Sequence, residues 1–152
     1  MVNNVKIVAN SDPANYTGAA NTPEYVSLKD YNHVTFIIHC GAWAGGTAAV
    51  TVNEATAVAG TSAQALAFTK QWTNVTDTST DTLVETTVTS NTFNLSAAGA
   101  IHVIELDAEA LSDGFDCVGV AVATPGSNND YYSIDVILSD PRYGSYPSAI
   151  TN

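Results

Sequence analysis

The sequence predicts an all-β protein: a β-sandwich of about eight strands, compatible with jelly-roll connections, with at most very short helices. Three observations predict it. Apolar side chains alternate with polar or small ones in His33–Cys40, Thr47–Asn53, Ile101–Leu106, Cys117–Ala123 and Tyr132–Leu138, the period of two that a half-buried strand requires. The breaks between these runs are filled by Gly, Pro, Asn and Ser, which supply turn geometry. No amphipathic segment reaches the dozen residues that the helical crossover of a parallel sheet demands.

In chain order, Val2–Ala9 is a short apolar run suited to an edge strand or to an arm that pairs with a neighbouring chain. NSDPANYTGAANTPEY (10–25) follows as a turn-rich loop or extended arm. Tyr25, Val26 and Leu28 suggest a short strand. His33–Cys40 carries apolar groups on both faces, so it is central or sandwiched. GAWAGG (41–46) places three glycines around Trp43 and reads as the bend of a hairpin into Thr47–Asn53. Ala55–Ala65 is rich in small residues, and Gly60, Thr61 and Ser62 hold it to a loop or a single turn. Leu66, Phe68, Lys70 and Trp72 make a strand-like face. The Thr-dominated stretch from Thr73 to Asn94 favours one or two strands, because β-branched residues disfavour helix interiors, with breaks at Asp77–Asp81 and Ser90–Asn91. After Ile101–Leu106, ELDAEALSDG (105–114) resembles a one-turn helix or tight loop. Asp116–Tyr143 then reads as two strands joined by the turn TPGSNND (124–130). This divides the chain into an N-terminal strand or arm with its turn-rich segment (1–30), a sandwich core (31–141) and a tail (142–152).

Composition narrows the function. Fifteen acidic residues against four basic ones give a formal charge of −11 in 152 residues. Four dispersed cations build no basic patch, so neither nucleic acid nor an anionic membrane is an expected partner. The chain is long enough for a single domain with its own core, and no apolar run approaches spanning length. No charged and then apolar leader opens the sequence, so the three sequons at Asn15, Asn74 and Asn94 are read as chance matches. Cys40 and Cys117 both fall on strands, where buried free thiols are expected rather than a disulfide.

Local chemistry is sparse. His39 and Cys40 point to opposite faces of one strand and His33 lies six residues away, a spacing unlike zinc ligation. There is no G-x-S-x-G elbow and no phosphate loop, since GAWAGG has no following lysine. Glu105, Asp107, Glu109, Asp113 and Asp116 form the densest acidic cluster, without the calcium-loop pattern; a solvated loop accounts for it. No catalytic, cofactor-binding or metal residue is assigned, no cofactor is expected, and the chain is read as non-enzymatic. The contact candidates are Trp43 in its glycine loop and, in SDPRYGSYP (139–147), Arg142, Tyr143 and Tyr146.

Taken together, HVTFIIHCG, TAAVTVNEATAVAGTSAQAL, IHVIELDAEALSDGFDCVGVAVA and SIDVILSDPRY resemble a group of small structural proteins of the virion head of tailed bacteriophages, over most of residues 31–143. The resemblance implies a capsid decoration or minor head protein, located on the virion head and in the host cytoplasm during assembly. Its implied partners are the major capsid protein or other virion proteins, and its implied state is a homo-oligomer such as a trimer, in which sheet edges are hidden. The alternative is a carbohydrate-binding β-sandwich of a phage tail or fibre, with Trp43, Trp72, Tyr131 and Tyr132 as aromatic platforms.

Overall fold

The computed structural model describes residues 5–74 and 82–143. These residues form two antiparallel sheets. In spatial order, the first contains β1 (Lys6–Asn15), β11 (Asp130–Pro141), β3 (Tyr31–Trp43), β9 (Ile101–Asp107), β6 (Lys70–Asn74) and β7 (Val84–Thr87). The second contains β2 (Val26–Ser27), β10 (Cys117–Val122), β4 (Ala48–Ala55) and β5 (Gln64–Ala65), with β8 (Phe93–Leu95) also on β4. Val50 pairs with Val122 on one side and Phe93 on the other, so β8 shares the edge of β4 that β5 occupies.

The pairings are nested. β1 pairs with β11, β2 with β10, β3 with β9, and β4 with β5 and β8. Two further pairings, β11 with β3 and β10 with β4, knit these hairpin-like layers into two sheets. This is the wrapping of a jelly roll. β6 and β7 are an addition to it: after β5 the chain crosses to extend the first sheet beyond β9, then returns as β8.

The alternation in the sequence explains which faces meet. Val34, Phe36, Ile38 and Cys40 of β3, Ile104 and Leu106 of β9, and Tyr132, Ile134, Val136 and Leu138 of β11 are buried. They form one cluster with Val50 and Val52 of β4 and Val118, Val120 and Val122 of β10. Full burial of each large aliphatic or aromatic side chain stabilises by roughly 1.5–3 kcal/mol. Cys40 and Cys117 are both buried free thiols, as their strand positions predict. The only helical element among the described residues is the 3-10 turn Ala108–Ala110, within the expected ELDAEALSDG segment.

Several local expectations are corrected. GAWAGG is not a hairpin bend, because β3 and β4 lie in different sheets; it arches across the sandwich. The same holds for TPGSNND between β10 and β11. In each case the two flanking strands bury their apolar faces in the shared core from opposite sheets. The run NSDPAN (10–15), expected as part of a turn-rich loop or extended arm, is extended and continues β1, with register shifts between Ala9 and Ser11 and between Ser11 and Ala14 absorbing its turn-forming residues. Leu66 and Phe68 are buried but lie outside any strand, and in β6 it is Gln71 that points inward. Ser62 sits at φ 53° within a turn, in the segment expected as a loop or single turn. The break at Asp77–Asp81 lies outside the described residues.

Candidate functional site

The three contact candidates among the described residues do not form one patch. Trp43 closes β3 at one end, while Arg142 lies beside Tyr31 at the other, its Nε donating to the Tyr31 carbonyl at 3.3 Å and its backbone N–H to Asp30 at 2.9 Å. Along a strand of 13 residues, at about 3.3 Å per residue, the two ends are about 40 Å apart. Tyr143 follows Arg142 and is 66% exposed. Tyr146 lies outside the described residues.

Trp43 is an anchor more than an exposed platform. It packs against the core, and its indole Nε1–H donates to the Gly46 carbonyl at 3.1 Å. Asp130, fully buried on β11, accepts the Ala44 and Gly45 N–H groups at 2.6 and 3.2 Å through Oδ1. Gly46 has φ 84°, and a Cβ there would lie 2.4 Å from the Pro125 carbonyl oxygen. The two arches therefore touch backbone to backbone, and glycine at 46 is what permits the approach.

The aromatic set divides in the same way. Tyr132, 1% exposed, stacks on Tyr16 with centroids 4.0 Å apart, so it belongs to the core and is withdrawn as a sugar platform. Tyr131 is exposed on the outer face. Trp72 lines an open groove of about 450 Å³ together with Phe68, Lys70, Glu105, Asp107 and Glu109. The groove thus collects part of the acidic cluster. Asp107 accepts or shares a hydrogen bond with His33 Nδ1 at 2.8 Å, and Lys70 pairs with Glu85 at 2.9 Å. Asp116, outside the groove, pairs with Lys29 at 3.0 Å; the Cys117 thiol and then Lys29 hold its carboxyl below the usual range. Among the described residues no group of three or more His, Cys, Asp or Glu is placed to hold a metal ion.

The buried ionisable groups are built into the structure. Burial, reinforced by Asp130, pushes the Cys40 thiol up to about 12. Burial and then Asp116 raise Cys117 to about 12 as well. Neither presents a thiolate at neutral pH, the form that nucleophilic chemistry needs. His102 is buried beside Phe93, with ring centroids 5.1 Å apart, and meets Gln71 Oε1 at 3.0 Å through Nδ1. Because an amide oxygen only accepts, Nδ1 carries the proton. Nε2 is buried without a partner, and burial lowers the ring to about 4.

Sequence reasoning missed Glu54. Its side chain is 1% exposed at the end of β4. Oε1 accepts from Gln64 Nε2 at 2.6 Å, and Oε2 accepts the Ser112 N–H at 2.8 Å. Burial pushes its carboxyl up, but these hydrogen bonds outweigh burial and hold it below the ordinary value. Its position at the end of an alternating run was the one available signal, and nothing in that run names partners in other segments. Comparison with family models, curated proteins and solved structures finds no match.

Proposed function

We propose that the protein is a non-enzymatic structural component of a bacteriophage virion that decorates or stabilises the capsid through protein–protein contacts. The observation that carries this reading is the placement of exposed large apolar side chains at the margins of a well-packed sandwich: Ile7 on β1, Val84 on β7 and Tyr143 beyond β11. The buried Cys40, Cys117, His102 and Glu54 serve packing and hydrogen bonding, whereas the side chains at these margins are exposed, as contact with a partner requires. The resemblance of residues 31–143 to small head proteins supplies the setting. A surface of net charge −11 adds a preference for a partner with basic patches.

Co-sedimentation with expanded capsid shells of the phage that encodes the chain is the test. Saturable binding is expected, weakened several-fold by Tyr143→Asp. Absence of binding from low to physiological salt would remove the proposal.

The groove at Trp72 favours one second reading, carbohydrate binding. An aromatic side chain flanked by carboxylates and a lysine offers both a stacking surface and hydrogen-bonding groups for a sugar. On that reading a glycan array yields a saturable ligand whose binding Trp72→Ala reduces at least tenfold; an array without one leaves the groove as surface relief.

A further inference from the structure

Among the described residues the six-stranded sheet ends at β1 on one side and β7 on the other, and no described strand lies outside either. Every pairing from one edge to the other is antiparallel. With six strands alternating in direction, β1 and β7 run opposite ways. A second copy, displaced sideways without being turned over, therefore brings its β1 antiparallel to the first copy's β7. We propose that β7 of one copy pairs with the Lys6–Ala9 stretch of β1 of the next, head to tail, so that the sheet continues through a cyclic homo-oligomer.

Four features fit this occupant. The lengths match: β7 has four residues, and Lys6–Ala9 is the part of β1 that keeps regular register before its first irregularity at Ala9/Ser11. Hydrogen-bonding groups are available. Val88 N–H donates inward to the Thr69 carbonyl at 2.8 Å, so by the alternation of an antiparallel ladder Glu85 and Thr87 direct their N–H groups outward.

Apolar groups stand on both edges. All four residues of β7 are exposed, Val84 at 60%, and Ile7 on β1 is 63% exposed. Their faces also agree. Ile7 lies opposite Ile137 on the outer face, and Glu85 lies opposite Trp72, which pairs with Val103 on that same face. Val8 and Val84 fall on the inner face, opposite Val136 and Thr73.

Coverage of the edges discriminates between occupants. Glu85 of β7 is already paired with Lys70 of β6 at 2.9 Å, so the β7 edge brings no uncompensated charge against Lys6 of the next copy. Pairing of β7 with itself would leave the β1 edge uncovered, with Ile7 63% exposed, whereas β7-to-β1 pairing covers both edges in one contact. A contact of this kind is heterologous, which generates a ring when its rotation closes. It takes up Ile7 and Val84 between copies and leaves Tyr143 exposed for a capsid, so it stands whether or not the assembly binds one.

Sedimentation velocity of the purified full chain, with site-directed cross-linking, tests it. The wild type is expected to sediment as a discrete species of three or more copies, and Thr87→Pro, which removes an outward N–H that the β6–β7 ladder does not use, as a monomer with unchanged circular dichroism. With Cys40 and Cys117 buried, a short bis-maleimide on the Ile7→Cys, Thr87→Cys double variant should give a ladder extending past dimer, and neither single variant should cross-link. A monomeric wild type at about 10⁻⁴ M total protein, where a contact with a micromolar Kd is saturated, overturns the proposal. So does dimer formation by Thr87→Cys alone, which would mark two-fold pairing of β7. Should Thr87→Pro fail to fold, the cross-linking pattern decides by itself.

Discussion

Glu54→Ala is expected to lower the unfolding free energy by about 3 kcal/mol, because it removes two charge-assisted hydrogen bonds of a buried carboxylate, each worth about 1.5 kcal/mol. Chemical denaturation with far-UV circular dichroism reads the loss, and a melting temperature lower by roughly 6–12 °C should accompany it in a chain of this size. The loss arises from three segments coming apart together. Gln64 belongs to β5 and Ser112 to the segment after the 3-10 turn, and both are fastened to β4 through one carboxylate. Glu54→Gln keeps the shape but presents an amide N–H₂ to a donor, so it should fall between wild type and alanine. A stability change below about 0.5 kcal/mol for Glu54→Ala would mean that the carboxylate bears no such role.

Acid sensitivity is the second large effect, and its source is His102. In the unfolded chain the imidazole protonates near 6.5, whereas burial holds the folded ring to about 4. Between those values the unfolded state binds the extra proton, so stability is complete above about pH 6.5 and falls as pH drops toward 4. At about 1.4 kcal/mol per pH unit, the loss across that window is about 3 kcal/mol. Below pH 4 this group contributes no further slope. Glu54 and Asp116, whose carboxyls are held below their ordinary values of 4.5 and 3.8, act in the opposite portion of the scale. Their contribution is complete above those values and is lost as pH falls through the lowered ones. Urea unfolding at intervals from pH 7 to pH 4 should therefore show a decline in the wild type that His102→Gln flattens. An equally steep decline in the variant would assign the effect elsewhere.

Much of the scaffold was legible in residues 33–40, 101–106, 117–123 and 132–138, because a strand with one buried face writes its orientation directly into the alternation. Tyr132 shows how far this reaches: its place in the Tyr132, Ile134, Val136, Leu138 series already put it in the core, where it stacks on Tyr16. What alternation lacks is any statement of partner. Cys117–Val122 and Asp130–Pro141 are successive strands joined by an evident turn, yet they belong to different sheets, since turn residues specify a reversal and not the plane in which it occurs. The second half of β1 was hidden because Asn10, Ser11, Asp12 and Pro13 are turn formers that only long-range pairing with β11 holds extended. Of the contact candidates, Tyr143 is exposed as its position suggested, while Trp43 turned inward because its indole N–H found Gly46 and its ring found the core. Glu54 and His102 owe their roles to neighbours far along the chain, Ser112 and Gln71, which no local pattern names.

The nesting of the strands also sets an order in time. β1 is made first but its partner β11 is made last, and Lys6 must wait for Leu138. During synthesis the six-stranded sheet cannot be completed until Leu138 has left the ribosome, so β1 spends that interval without β11. Folding dominated by such distant pairings runs in milliseconds to seconds, slow enough for nascent chains at high local concentration to meet while β1 is still free. The molecule's most exposed moment thus precedes its native state, and Lys6, Asp12 and Pro13 on that strand are residues of the kind that keep a waiting edge from pairing with the wrong neighbour.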